Sequence, residues 1–301
     1  MTMHRKALAG FLIVCVIWGS TWTVVRVGLN SMPPVLSAGL RFAIASAVLF
    51  FFMRWKKIIV PHERKFWKLT AVLCLTAFSI PFGLIYWGQA RVDSGVSSVL
   101  FATFPFWVAL LSHFFLPGDK LNAWRFAGIA AGFCGILMIV QPDVSGSPIN
   151  IPGTLTILAG AFLQASALIA VRKYGREYNS VVLNLYSMFF SSILLIGWSL
   201  LVENYSHIVI NSSGIFSILY LALFGTVLSF VIYFWLAKHV EAVVLSLSAF
   251  ITPVIALFAG VFILNENITM YVYAGSFLVF AGVLIVSSDA VLPFNVQRSK
   301  S

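Results

Sequence analysis

Two arginines sit inside apolar runs of this chain, Arg26 near the end of the first run and Arg41 within the second. A cation near hydrocarbon costs several kcal/mol unless it is paired or wetted. An arginine kept there suits carboxylate recognition, because its planar fork donates two parallel hydrogen bonds. Trp18, Trp22 and Arg26 are spaced i, i+4, i+8, which stacks them along one helical face. That face fits the wall of a cavity between helices better than it fits lipid, and its indoles offer stacking and cation–π contacts to flat or cationic solutes. The plainer reading of both arginines is a guanidinium that snorkels to an interface or ties down helix-end carbonyls. Of the two, Arg41 is the stronger candidate for a ligand.

Further polar and aromatic residues lie on the same runs. Tyr86 and Gln89 close the third run, and Tyr233 lies near the end of the eighth, where an interfacial aromatic belt is the competing account. Gln164 falls at the centre of the sixth run, where an amide has no cheap way to satisfy itself and is expected to line a cavity. Ser229 and Thr252 join the candidate lining, although mid-span hydroxyls commonly bond back to their own helix. Pro105 and Pro253 interrupt the fourth and ninth runs and are candidate hinges, against the alternative of static kinks. Gly128, Gly132 and Gly135 form a small face that reads as close helix packing. The three cysteines, Cys15, Cys74 and Cys134, lack metal or redox spacing and are expected to be buried, free thiols.

The elements that position these residues follow from composition. Of 301 residues, 60% are hydrophobic and 9% charged, with a mean hydropathy of +0.99. Soluble domains carry roughly 25% charged residues, so this chain reads as an all-α integral membrane protein. Apolar runs of spanning length fall near 7–29, 35–53, 67–89, 92–115, 122–140, 153–171, 181–202, 214–237, 241–264 and 269–287, which predicts ten transmembrane helices. The net charge of +10 is not read as nucleic-acid binding. Its basic residues crowd the loops that share a side with the N-terminus, including Arg54, Lys56, Lys57, Arg64, Lys65, Arg172, Lys173 and Arg176, while the opposite loops hold Arg91. The bias predicts both termini in the cytoplasm.

The chain also repeats itself at a spacing of about 147 positions: Pro105 matches Pro253, Asp119 matches Glu266, and Gly128 and Gly135-Ile136-Leu137 match Gly275 and Gly282-Val283-Leu284. Two five-helix halves, 1–142 and 143–301, would then lie in opposite orientations, an inverted repeat of the kind found in alternating-access transporters. No phosphate-binding Gly-Lys-Ser/Thr loop and no hydrolase motif is present. The acids fall at span ends or in loops, which leans toward a facilitator or exchanger.

With these residues in place the chain resembles the EamA family of the drug/metabolite transporter superfamily. The resemblance rests on Trp18-Gly19-Ser20, Leu40-Arg41-Phe42, Pro105, Pro253, Asn265-Glu266 with Ile268, Gly275, and Gly282-Val283-Leu284, and it covers both halves. It departs at Pro117-Gly118-Asp119-Lys120, where the family usually has Gly-Glu-Arg; the shorter acid is still expected to cap a helix end. The resemblance implies ten helices, an inverted repeat and export of small metabolites, often amino acids, across a bacterial inner membrane. The expected function is therefore amino-acid or metabolite export. Multidrug or quaternary ammonium efflux and a channel-like facilitator stand as alternatives. No enzyme activity, cofactor, metal or nucleic acid is expected; the partners are a small-molecule substrate and the lipid bilayer, with a homo-oligomer left open.

Overall fold

The computed structural model describes residues 3–116, 121–140, 150–206, 208–239 and 248–291. The regular structure among them is helical throughout. Thirteen helical pieces follow in order: α1 Met3–Leu29, α2 Pro34–Trp55, α3 Arg64–Leu73, α4 Ile80–Gln89, α5 Ser94–Phe101, α6 Phe104–Phe115, α7 Ala123–Ile139, α8 Ile151–Tyr174, α9 Ser180–Val202, α10 Ser212–Ala222, α11 Ser229–His239, α12 Ser248–Leu264 and α13 Met270–Val291. Wide π-type turns, Cys74–Ser79 and Leu223–Leu228, join α3 to α4 and α10 to α11 into continuous rods. Among the described residues, seven segments are long and apolar enough to cross a membrane, and Ala123–Ile139, Ile251–Leu264 and Met270–Val286 are shorter apolar helices. The chain is thus a multi-pass membrane protein.

Local sequence explains where the helices begin. Asn122, Asn150, Asn179 and Asn211 each accept a backbone N–H of the first turn that follows, and so start α7, α8, α9 and α10. The first turn of α2, opened by Pro33-Pro34, is capped from a distance. The Glu203 carboxylate, just past the end of α9, accepts the N–H groups of Val35 at 2.8 Å and Leu36 at 2.9 Å, and the Ser199 hydroxyl donates to it. Two charge-assisted bonds at a helix N-terminus make Glu203→Ala an expected loss of about 2–3 kcal/mol, to be read as a lower unfolding midpoint in detergent.

Packing places each half's helices against the other's. α7 lies along α13 and α2 along α9, while α1 rests on α12, α4 and α6 rest on α8, and α5 rests on α12. The glycine face of α7 does what its spacing predicts. A Cβ on Gly128 would stand 2.9 Å from the Gly282 carbonyl oxygen, and one on Gly275 would strike the backbone of Gly135 and Ile139. The cysteine expectation needs one correction. Cys15 and Cys74 are buried, but Cys134 is exposed. It lies one residue before Gly135 on α7, turned away from the side that meets α13.

Candidate functional site

Arg41 stands two turns into α2 and is 7% exposed. Its Nε donates to Thr226 Oγ1 at 3.0 Å, Nη1 to the Tyr86 hydroxyl at 3.2 Å, and Nη2 to the Gly225 carbonyl at 3.4 Å. The guanidinium also lies over the Phe82 ring, 5.2 Å from its centroid. All of these partners are neutral, and among the described residues no carboxylate lies within ion-pair reach of it. A buried full charge supplied only with dipoles is held but not neutralised.

The π turn between α10 and α11 makes this arrangement accessible. Widening the helix frees carbonyls from the usual i−4 pattern, and hydroxyls take them up. Thr226 Oγ1 donates to Leu221 O at 2.9 Å, and Ser229 Oγ donates to Phe224 O at 2.7 Å. The Gly225 carbonyl is left facing Arg41. The matching turn between α3 and α4 is met differently: Ser191 donates to Cys74 O at 3.0 Å and Ser187 to Thr70 O at 3.3 Å. Hydroxyls of α9 serve one π turn; the second is served by its own Thr226 and Ser229 hydroxyls and by a guanidinium of α2.

The tryptophans of α1 pack on rings of the neighbouring helices. Trp18 packs on Tyr233 with centroids 5.2 Å apart and on Phe230 at 6.2 Å, and Trp22 packs on Phe101 at 5.4 Å. Thr21, between the two tryptophans, would lie 3.0 Å from a Cβ at Gly225. The structure therefore brings Arg41 and Tyr86 together with the π turn, while Trp18 and Tyr233 pair with each other in a separate cluster with Phe11, Val14 and Leu236. Trp22 faces α5.

The remaining candidates have more local engagements. The buried Gln89 amide donates to the Trp22 carbonyl, and Arg26 donates from Nη1 to the Gln89 carbonyl at 2.7 Å, so these residues tie α1 to the end of α4. The Thr252 hydroxyl bonds back to Ser248 O at 2.9 Å. Gln164 is half-buried on α8, two residues from Phe162, which meets Trp107 edge-on. Pro105 lies at the start of α6, where the fourth apolar run breaks at Ala102 and Thr103, whereas Pro253 lies inside the continuous α12.

At the far end of α12, Asn265 adopts a left-handed φ of 55°, a conformation asparagine tolerates, and turns the chain back. Glu266 then accepts Ser94 N–H at 2.7 Å and Gly95 N–H at 3.0 Å, capping α5 across 172 positions of sequence. A Cβ at Gly260 would collide with this carboxylate. The acid at 266 is thus a helix cap, as its motif suggests; the matching Asp119 lies outside the described residues. Burial and the nearby Glu266 raise the Asp93 carboxyl above its ordinary range, while Arg26 pulls it down.

Sequence reasoning did not single out Glu203, Gly225 or Phe82. Glu203 is remote from its helix, and a π turn has no hydropathy signature. The usable signal is Pro81, which cannot donate a helical bond and lies two residues beyond the first π turn.

Comparison with known proteins gives the family of this chain. The EamA-like transporter family matches residues 5–141 and 151–288. The "Probable amino-acid metabolite efflux pump" of Salmonella typhimurium is 30% identical over 313 residues, covering 99% of this chain and 98% of that protein. The "Uncharacterized transporter YoaV" of Bacillus subtilis (strain 168) is 29% identical over 287 residues, covering 93% and 96%. A solved crystal structure, 18% identical, superposes with a TM-score of 0.68 over 96% of this chain and 99% of that one, which carries the fold alone. The family match over residues 5–141 and 151–288 and the 30% identical relative aligned end to end place this chain in the EamA-like transporter family.

Proposed function

We propose that this transporter exports amino acids or similar small carboxylate-bearing metabolites by alternating access, with Arg41 as the receptor for the carboxylate. The observation that carries this reading is the Arg41 guanidinium, buried among neutral partners with no carboxylate of the described chain to neutralise it. A substrate carboxylate would complete the site through bidentate hydrogen bonds. Tyr86 contributes its hydroxyl beside it, and Trp18 and Tyr233 would add ring surface along the path. Trp22, Gln89, Gln164, Ser229 and Thr252 belong to the wider wall and its supports.

The architecture proposed with it is ten spans in two oppositely oriented halves, 1–142 and 143–301, in the inner membrane with both termini cytoplasmic. The exposed basic residues of the 54–68 and 172–176 stretches support that orientation. Reciprocity of contacts supports the inverted halves. Gly128 meets Gly282 while Gly135 meets Gly275, the same contact with the two halves exchanged. The π turns also recur at matched places in the two halves. Pro105 and Pro253 are proposed bends on either side of the site.

The aromatic pairs around Trp18 and Trp22 favour a second reading, efflux of flat or quaternary ammonium compounds, which the Arg41 charge opposes. Counterflow in proteoliposomes tests both. Liposomes are loaded with the twenty unlabelled L-amino acids and supplied outside with a carbon-14-labelled amino-acid mixture. Saturable uptake accelerated by the internal amino acids is expected. Acceleration by internal tetraphenylphosphonium instead would favour the second reading, and linear, unsaturable flux would replace the carrier with a channel-like pathway.

A further inference from the structure

A groove of about 430 Å³ runs between α2 and α9, lined by Ala43, Ala47, Phe50 and Phe51 on one side and Leu185 and Phe189 on the other. Its two serines have their hydroxyl protons engaged within their own helices, Ser46 Oγ donating to Ala43 O at 2.9 Å and Ser192 Oγ to Phe189 O at 2.7 Å, and Tyr186 adds its ring, which meets Trp67 edge-on. The lining is therefore largely apolar, and Phe51 remains 71% exposed. This groove is separate from the Arg41 site, since Arg41 bonds to α4 and the α10–α11 turn.

One end of the groove is marked chemically. Positions 43, 47, 50, 51 and 54 fall on one face of α2, so Arg54 follows Phe50 by one turn along the groove's own line. Trp55 is 73% exposed and carries Lys56 Nζ 4.3 Å from its ring centroid, the pairing of an aromatic and a cation found where hydrocarbon gives way to headgroups. Lys57 follows it, and Arg172, Lys173 and Arg176 precede α9 at the end where α9 begins. All six basic side chains are exposed, and Glu63 and Glu177 are the acids among the neighbouring exposed residues.

We propose that this groove binds a phospholipid with an anionic headgroup, one acyl chain lying between α2 and α9 and the phosphate held by Arg54 with Lys56 and Lys57. An apolar channel that opens at headgroup depth onto a cluster of cations matches both parts of such a lipid. A zwitterionic lipid fills the channel equally well but leaves the cations without a counter-charge.

The test uses the purified full-length protein in detergent, stripped of lipid, with its thermal unfolding followed as lipid is added. Dioleoylphosphatidylglycerol is expected to raise the midpoint about twice as far as dioleoylphosphatidylcholine at equal concentration. The variant with Arg54→Gln, Lys56→Gln and Lys57→Gln should respond equally to the two lipids. Ala47→Trp, which fills the groove from an exposed position, should lose most of the response to both. Water-soluble glycerophosphoglycerol, the headgroup without chains, should give no shift. Equal shifts from the two lipids on the wild type overturn the proposal. So does an undiminished preference in the charge variant, or a full shift from the headgroup alone. If Ala47→Trp does not fold, the charge variant and the headgroup control still decide.

Discussion

Arg41→Lys is expected to raise the half-saturation concentration for amino-acid counterflow by about ten- to a hundredfold while leaving the protein folded. Lysine keeps the charge but loses the fork, so it cannot hold Thr226, Tyr86 and the Gly225 carbonyl and still offer two parallel donors to a carboxylate. Hydrogen bonds to a charged group contribute about 1.5–3 kcal/mol, and each 1.4 kcal/mol is about tenfold in affinity. The comparison with Thr226→Val separates recognition from scaffolding. Valine removes the acceptor for Nε without touching the charge, so the guanidinium is less well aimed, and a rise of only a few-fold is expected. Arg41→Ala goes further by leaving Tyr86 and the π-turn groups without their partner, and its unfolding midpoint should fall with its transport. Unchanged kinetics in Arg41→Lys, with the maximal rate preserved, would remove Arg41 from recognition and leave it a tie between α2, α4 and the π turn.

That the chain is built of long apolar helices was readable from sequence because length and hydropathy act over about twenty residues at a time. The described helices fall within a few residues of the runs expected for them. The α7 glycine face was readable for a related reason, since a spacing of three and four residues places small side chains on one side of a helix whatever its surroundings. What stayed hidden depends on a partner far away in sequence or on a change of helical register. Glu203 looks like an ordinary acid at a span end, and its role exists only because α2 begins beside it. Gly225 looks like one glycine among many until the widened turn presents its carbonyl to Arg41. The two matched prolines make the limit sharpest. At Pro253 the helix continues, with the Thr252 hydroxyl bonded back to the Ser248 carbonyl beside it. Before Pro105, the Ala102 N–H is shared between Ser98 and Val99 carbonyls, the turn tightens, and the helix is cut in two. The same residue in the same slot has two outcomes, which a pattern of residue types along the chain does not distinguish.

The largest stability effect is expected at the α7–α13 contact. Here backbone meets backbone, so no side chain can rotate away to make room. A Cβ on Gly282 would overlap the Gly128 carbonyl and stand 2.9 Å from Gly132 N; one on Gly135 would stand 2.9 Å from Val279 N and close upon the Gly275 carbonyl. Gly282→Ala therefore has to push two helices apart along their length, at a cost of about 1–3 kcal/mol, and Gly282→Leu exceeds what the pair can absorb. The expected readout is a lowered unfolding midpoint for alanine and little or no folded protein for leucine. Gly197→Ala on α9 is the control, because nothing lies within 4 Å of the added carbon. Removing backbone freedom from an exposed helix there is expected to be neutral or to stabilise by up to about 1 kcal/mol. The reciprocity of the glycine contacts adds a sharper demand. If the two halves are related by a two-fold exchange, Gly135→Ala and Gly282→Ala occupy equivalent places in one symmetric interface and should lower the midpoint by similar amounts. A large effect at one and none at the other would show that the α7–α13 contact is held by one end alone, and would withdraw its support from the inverted arrangement of the halves.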